Sequence, residues 1–235
     1  MKMNDIFENN ISLNKETHEY KLDTDPGVVF TSVTTYVEKF FEGFDAQKIA
    51  TKLVNNHPKY SSHTVESLIA EWNATADHGT KVHNEIEERI KEGTQPSEIK
   101  AINGKNWLES YKLKSNIDVF SEVIIYSAEL SIAGTVDILA KNNDTGEYEL
   151  IDWKTSKKIE TVSFGNKMGT HKATKHIMDC NFYHYSVQLS LYRYILEEYY
   201  KIKINNQLIA HIRNDGVNAL VAPYMKNEIR EMLNS

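Results

Sequence analysis

Asp152-Trp153-Lys154 ends an apolar run, Leu150-Ile151, with an acid and an amine. In a strand, alternate side chains share a face, so Asp152 and Lys154 project together while Trp153 turns the other way. Asp137 lies fifteen residues before Asp152, near the end of a second apolar run. A turn at Asp144-Thr145-Gly146 would lay the two runs side by side and bring the carboxylates together. Converging carboxylates repel unless a cation neutralises them, and hard oxygen ligands favour Mg2+ or Mn2+. A lysine beside such an ion can orient or deprotonate water, or steady charge developing on a phosphate. Taken alone, acid-x-Lys is ordinarily a cross-strand ion pair. The upstream Gly134-Thr135-Val136-Asp137 at hairpin distance moves the reading toward a site.

Two helical pairs point the same way. His83 and Glu87 stand four residues apart in HGTKVHNEIE and share a helix face, as do Gln188 and Tyr192 in SVQLSLYRYI. Each residue alone has a structural explanation: a histidine held in the fold, a solvated glutamine, a tyrosine packed in the core. Residues 154–176 add a local excess of base, with Lys154, Lys157, Lys158, Lys167, Lys172 and Lys175 against the single acid Glu160. That composition suits either a solvated loop or a surface that holds phosphates. Tyr183, His184 and Tyr185 follow, with stacking on unpaired bases and apolar packing as competing roles.

The elements that must position these groups can be read in outline. Polar residues 1–28 suit a strand pair or an unsettled arm. Residues 32–53 read as one helix with Ser32 or Thr34 as N-cap. Residues 63–93 read as one or two helices stopped by Gly93, and 95–114 as further helix with a break near Asn103-Gly104. DVFSEVIIYSA, LSIAGTVDILAKN and GEYELIDWKTS form an antiparallel meander in this reading. FYHYSVQLSLYRYILEEYYK is a helix with Val187, Leu191 and Ile195 on one stripe; NNQLIAHIRN and VNALVAPY are two more strands, and KNEIREMLNS a closing helix. The expected class is α/β, a mixed sheet packed by helices. It is one domain over 1–235, mainly helical in 1–115, with the sheet core and motif helix in 116–235.

Taken in order, Gly79 with His83, Gly134 with Asp137, Asp152 with Lys154, and Gln188 with Tyr192 resemble the RecB-type exonuclease branch of the PD-(D/E)xK nuclease superfamily. TSVTTYVEKF is similar to the Ser-Val-Thr segment of phage-encoded members and of the mitochondrial genome maintenance exonuclease, so the resemblance spans roughly residues 30–215. It implies a restriction-endonuclease-like core, a central mixed β-sheet flanked by helices with a helical N-terminal region. It implies catalytic roles for His83, Asp137, Asp152 and Lys154, with the metal held by His83, Asp137, Asp152 and the Trp153 carbonyl. Gln188 and Tyr192 would shape the site, Glu122 falls where relatives often carry an acid, and Ser32 and Thr34 would touch phosphate or cap a helix. Lys157 and Lys158 would hold the DNA backbone. Trp153 stands where Tyr is common and Ser156 where Gly is common, without removing a reacting group. His78, beside Gly79, is not assigned as a ligand.

Hydrophobic residues at 40% and charged residues at 26% of 235 are ordinary globular composition, which argues against disorder. A single cysteine, Cys180, excludes an internal disulfide and a four-thiolate zinc or iron–sulfur site. No apolar run approaches the roughly 18 residues needed to cross a bilayer, and the polar N-terminus is not a secretory signal. A net charge of −6 opposes coating of nucleic acid by bulk charge, though not a basic surface beside an acidic metal site. The expectation is a Mg2+- or Mn2+-dependent DNA exonuclease without an iron–sulfur cluster, acting on single strands or ends in recombination, repair or replication. By the phage-like resemblance it would work in a bacterial cytoplasm, with no membrane partner. A structure-specific endonuclease on the same core, and a nuclease-fold protein that binds nucleic acid without cutting, stand as alternatives, and RNA stays open beside DNA.

Overall fold

The computed structural model describes residues 10–113 and 116–235. The first part of the expected N-terminal arm, residues 1–9, lies outside the described residues. The arm's remainder forms a hairpin, β1 (Ile11–Asn14) against β2 (Glu19–Leu22). A two-residue strand β3 (Thr31–Ser32) leads directly into helix α1 (Val33–Glu38). Helices α2 (Ala46–Asn56), α3 (Val65–Glu92) and α4 (Ile99–Lys112) follow. The strands β4 (Ile117–Ser127), β5 (Ile132–Asn142) and β6 (Tyr148–Lys154) come next, then α5 (Asn181–Glu198), β7 (Ile204–Arg213), β8 (Gly216–Val221) and α6 (Lys226–Leu233).

Two of these elements differ from their sequence expectation, and a third settles a choice left open. The helix expected over 32–53 is two, because Phe40 and Phe41 turn into the core and Asp45 then caps a new helix through the Lys48 N–H. Residues 63–93 form one helix, opened by a reciprocal Thr64–Ser67 cap and closed by Gly93 in the left-handed region. No break occurs at Gly104: α4 runs through it, since a Cβ there would stand 2.6 Å from Ile86 and 3.1 Å from Ile212. The glycine brings α4 close to α3 and β7. The N-terminal part is also not purely helical, as it contributes the hairpin and β3.

The central sheet is mixed. β4 pairs antiparallel with β5 along nearly its whole length. The other edge of β5 is shared: β3 takes Ile132 and Ala133 in parallel, and β6 takes Ile138 to Lys141 antiparallel. β7 joins β6 in parallel and β8 closes the edge antiparallel. Between its partners β3 and β6, β5 leaves a fork open. α1, α5 and α6 cover one face, with Val33, Val187, Leu191, Ile195 and Ile229 fully buried against it. α3 and α4 cover the other through Val82, Ile86, Ala101 and Leu108. The hairpin lies over Ala133 through Ile11 and Leu22.

Strict alternation would put Val136 and Ile138 on one face. Instead Val136 packs with α1 and α5, and Ile138 packs with α3 and α4. β4 inverts at the matching place, with Val119 on the α3–α4 side and Val123 on the α5 side. The inversion falls on Glu122 and Asp137. No helix among the described residues is long and apolar enough to cross a membrane.

Candidate active site

The site forms where the β5–β6 ladder stops. Its last pair is Ile138 with Ile151, and one step further the strands carry Asp137 and Asp152. Along the other edge of β5, Ser121 pairs with Ile138 and Val123 with Val136, which sets Glu122 opposite Asp137. Three carboxylates therefore stand in a row across three strands, at the point where side-chain alternation inverts. Glu122 adopts φ +51°. This left-handed backbone costs a non-glycine residue about 1–2 kcal/mol, and such strain concentrates at functional positions.

Each acid is met by a different group. Asp137 Oδ2 accepts a hydrogen bond from the Trp153 N–H at 2.8 Å and lies 3.7 Å from His83 Nδ1. Asp152 is 3% exposed, and its Oδ2 lies 2.7 Å from Lys154 Nζ. No well-aligned hydrogen bond reaches that oxygen. Gln188 Nε2 approaches Asp152 Oδ1 at 3.5 Å and the Tyr192 hydroxyl at 3.4 Å, both long contacts. Lys154 is framed from below by the Tyr185 ring, 4.7 Å from Nζ. From α3, Glu87 reaches Lys91 at 2.6 Å and the hairpin's Lys15 at 3.6 Å.

The electrostatics are those of acids crowded in a dry place. Burial pushes the Asp152 carboxyl up, Lys154 pulls it back and the Asp137 charge raises it again, leaving it above the ordinary carboxylate value. Burial also disfavours the Lys154 charge, but Asp152 and Asp137 outweigh that and hold the amine above its ordinary value. Glu122 is pushed up to about 8 by burial first, then by the charges of Asp137 and Glu87.

The glycines of the short motifs have steric partners within the site. A Cβ on Gly79 would stand 2.8 Å from Thr155 Oγ1, so a side chain there would push α3, which carries His83, away from the end of β6. A Cβ on Gly134 would stand 2.5 Å from a ring carbon of Tyr192 and 2.9 Å from Val33. Gly134 thus admits the buried ring that positions Gln188 one turn earlier. Gly134→Ala is expected to destabilise the protein by about 1–3 kcal/mol through overpacking, measured by urea unfolding; an unchanged midpoint would contradict the fit.

Two further residues steady the strand end, and neither has a sequence signal. Lys100 Nζ donates to the Thr155 carbonyl at 2.7 Å, and His211 Nε2 donates to the Ser156 carbonyl at 2.6 Å. His211 pairs in register with Lys154 on the neighbouring strand. They come from α4 and β7, elements remote in the chain, so no spacing could have announced them. Tyr20 is likewise new: its hydroxyl meets Thr135 Oγ1 at 3.0 Å, two residues before Asp137.

The structure brings His83, Glu122, Asp137, Asp152, Lys154, Gln188 and Tyr192 together. Ser32 acts as the cap of α1, its hydroxyl accepting from the Thr35 N–H at 3.1 Å and donating to the Thr35 hydroxyl at 2.8 Å. Thr34 sits exposed on the first turn. Lys157 and Lys158 are exposed just beyond β6. The aromatic run at the start of α5 is half-buried: Tyr183 and Tyr185 pack against the core, and His184 binds Asp179 at 2.8 Å and rests on Phe41. His78 pairs with Glu98 at 3.2 Å, outside the acid row.

In kind, the donors suit a hard divalent cation: three carboxylates, one imidazole and the Trp153 carbonyl at the fork. Acids raised by burial first and then by neighbouring charge, as Asp152 and Glu122 are, are what such an ion would relieve. In the arrangement described, Lys154 and the Trp153 amide meet those acids instead. Among the described residues, no three His, Cys, Asp or Glu side chains converge into a ready-made metal cage. No protein-family model matches the chain, and no curated protein matches it in sequence.

Proposed function

We propose that the protein is a Mg2+- or Mn2+-dependent deoxyribonuclease of the RecB-type PD-(D/E)xK kind, hydrolysing phosphodiester bonds at single strands or DNA ends. One observation carries this reading. The carboxylates of Asp137 and Asp152 stand opposite one another where two strands part, and the Lys154 ammonium lies 2.7 Å from the second of them. A structural ion pair has no need of a second, part-buried acid across the fork, still less of Glu122 on the far side of Asp137.

Asp137, Asp152, His83 and the Trp153 carbonyl would hold the ion. When bound, a divalent cation acidifies a coordinated water and polarises the scissile phosphate. The protein's own groups do the rest. The Trp153 N–H holds one oxygen of the Asp137 carboxylate and so restrains its orientation. Lys154, anchored over Tyr185, has an ammonium that can donate to the attacking water or to a phosphate oxygen. Gln188 restrains Asp152 from the α5 side. Lys100 and His211 hold the chain leaving Lys154, which sets how far the amine reaches into the fork. By the resemblance, the products carry 5′-phosphates.

End-labelled single- and double-stranded DNA incubated with Mn2+, Mg2+ or EDTA tests this directly. Shortening is expected with either metal and not with EDTA. A circular single strand should survive, because free ends are needed; its digestion would replace the exonuclease by an endonuclease on the same core. Intact DNA under every metal condition would refute the nuclease reading.

A further inference from the structure

Large apolar side chains scattered singly over a surface need no explanation. Here three exposed ones lie within five residues of one or the other partner of a single ion pair. Lys167 binds Glu42. Two residues beyond Glu42 stands Phe44, 67% exposed, its ring 5.4 Å edge-on from that of Trp72. Three residues before Lys167 stands Phe164, 91% exposed, with Val162 beside it at 58%.

The two segments that carry these rings are stitched together. The Thr170 N–H and the Thr174 hydroxyl both donate to the Phe40 carbonyl, at 3.0 and 2.7 Å. The Gly169 and Asp179 N–H groups close a small antiparallel loop around residues 167–179. Gly165 and Asn166 are both left-handed, making a tight turn behind Phe164. The aromatics therefore stand on a fixed base. That base leads to the acids: Phe41 rests 4.1 Å from His184, and the next residue, Tyr185, lies under Lys154.

The loop beyond β6 is basic, whereas Glu42 and Asp45 stand beside Phe44. The loop that carries Phe164 begins at Lys154 and also bears Lys157, Lys158, Lys167, Lys172 and Lys175 against Glu160 alone. Lys48 adds its charge near Glu42. Exposed rings interleaved with lysines fit a polyanion that also offers flat apolar faces, as a single strand does and a duplex does not. We propose that Phe44, braced by Trp72, and Phe164 form a stacking platform for unpaired bases, guiding a single strand to the acid row. This deepens the nuclease reading and rests on it for the strand's destination. The platform lies on segments other than the half-buried α5 aromatics.

Binding in EDTA separates the platform from the chemistry. The probes are a dye-labelled oligo(dT), an abasic strand of equal length and a duplex, followed by fluorescence anisotropy over a range of salt. The protein should bind oligo(dT) more tightly than either other probe. Phe44→Ala and Phe164→Ala should each weaken oligo(dT) binding by about five- to a hundredfold, the range of one lost base stack. The abasic strand should bind them as it binds the parent. The salt slope should stay unchanged, because stacking releases no counterions, and Phe44→Tyr should keep parental affinity. Parental affinity in both alanine variants, or equal affinity of the parent for oligo(dT) and the abasic strand, overturns the platform. Those results would leave a protein that cuts DNA with Mn2+ still a nuclease. Ring-dependent binding without any metal-dependent cutting would spare the platform and remove the nuclease.

Discussion

Lys154→Ala should cut DNA about a hundred- to ten-thousandfold more slowly than the parent in Mn2+, the range for losing a positioned proton donor or acceptor, while still binding DNA in EDTA. The same lysine neutralises Asp152, which is almost wholly buried. Removing one partner of such a pair costs about 3–5 kcal/mol, because the other charge is left uncompensated. Loss of activity could then reflect loss of fold. Lys154→Arg separates the two. It restores a cation for Asp152 but replaces a compact ammonium by a planar fork with different reach. It should melt near the parent and still cut slowly. Parental cutting by Lys154→Ala would contradict the role given to the amine.

Glu122→Gln should stabilise the metal-free protein, and by more as pH rises. The carboxyl is pushed up to about 8 by burial and by its acidic neighbours, from an ordinary value of 4.5. Between these pH values the folded state keeps a proton that the unfolded chain has lost. Stability therefore falls as pH climbs through that window, and the whole cost is felt above pH 8. The expected gain for Glu122→Gln is near zero at pH 4.5 and on the order of 5 kcal/mol at pH 9. Urea unfolding in EDTA at several pH values measures it. A difference that does not change with pH would mean that Glu122 is charged and solvated throughout.

What the sequence made legible was local. Period-two runs, the Gly146 turn and the stripe of Val187, Leu191 and Ile195 gave the meander and the motif helix, because neighbouring residues decide them. The short motifs also located Asp137, Asp152, Lys154, His83 and Gln188, and the meander explains why the two aspartates meet. Facts set by the tertiary fold were not legible. Phe40 and Phe41 divide the first helix because the core requires them, and Gly104 serves close helix packing rather than a break. The inversion of alternation at Glu122 and Asp137 leaves no trace in hydropathy, since both residues are polar. Lys100 and His211 reach the strand end from distant segments. The aromatics of α5 allowed both base stacking and packing because exposure cannot be read from residue type, and the fold half-buries them.

Electron paramagnetic resonance of added Mn2+ tests the central claim most directly, since it reads the ion without substrate or turnover. The parent should take up Mn2+ and quench the free-ion signal, and Asp137→Asn and Asp152→Asn should each lose most of that uptake while remaining folded. A parent protein that leaves the Mn2+ signal free, or asparagine variants that bind as well as the parent, would show that these acids do not gather around a metal.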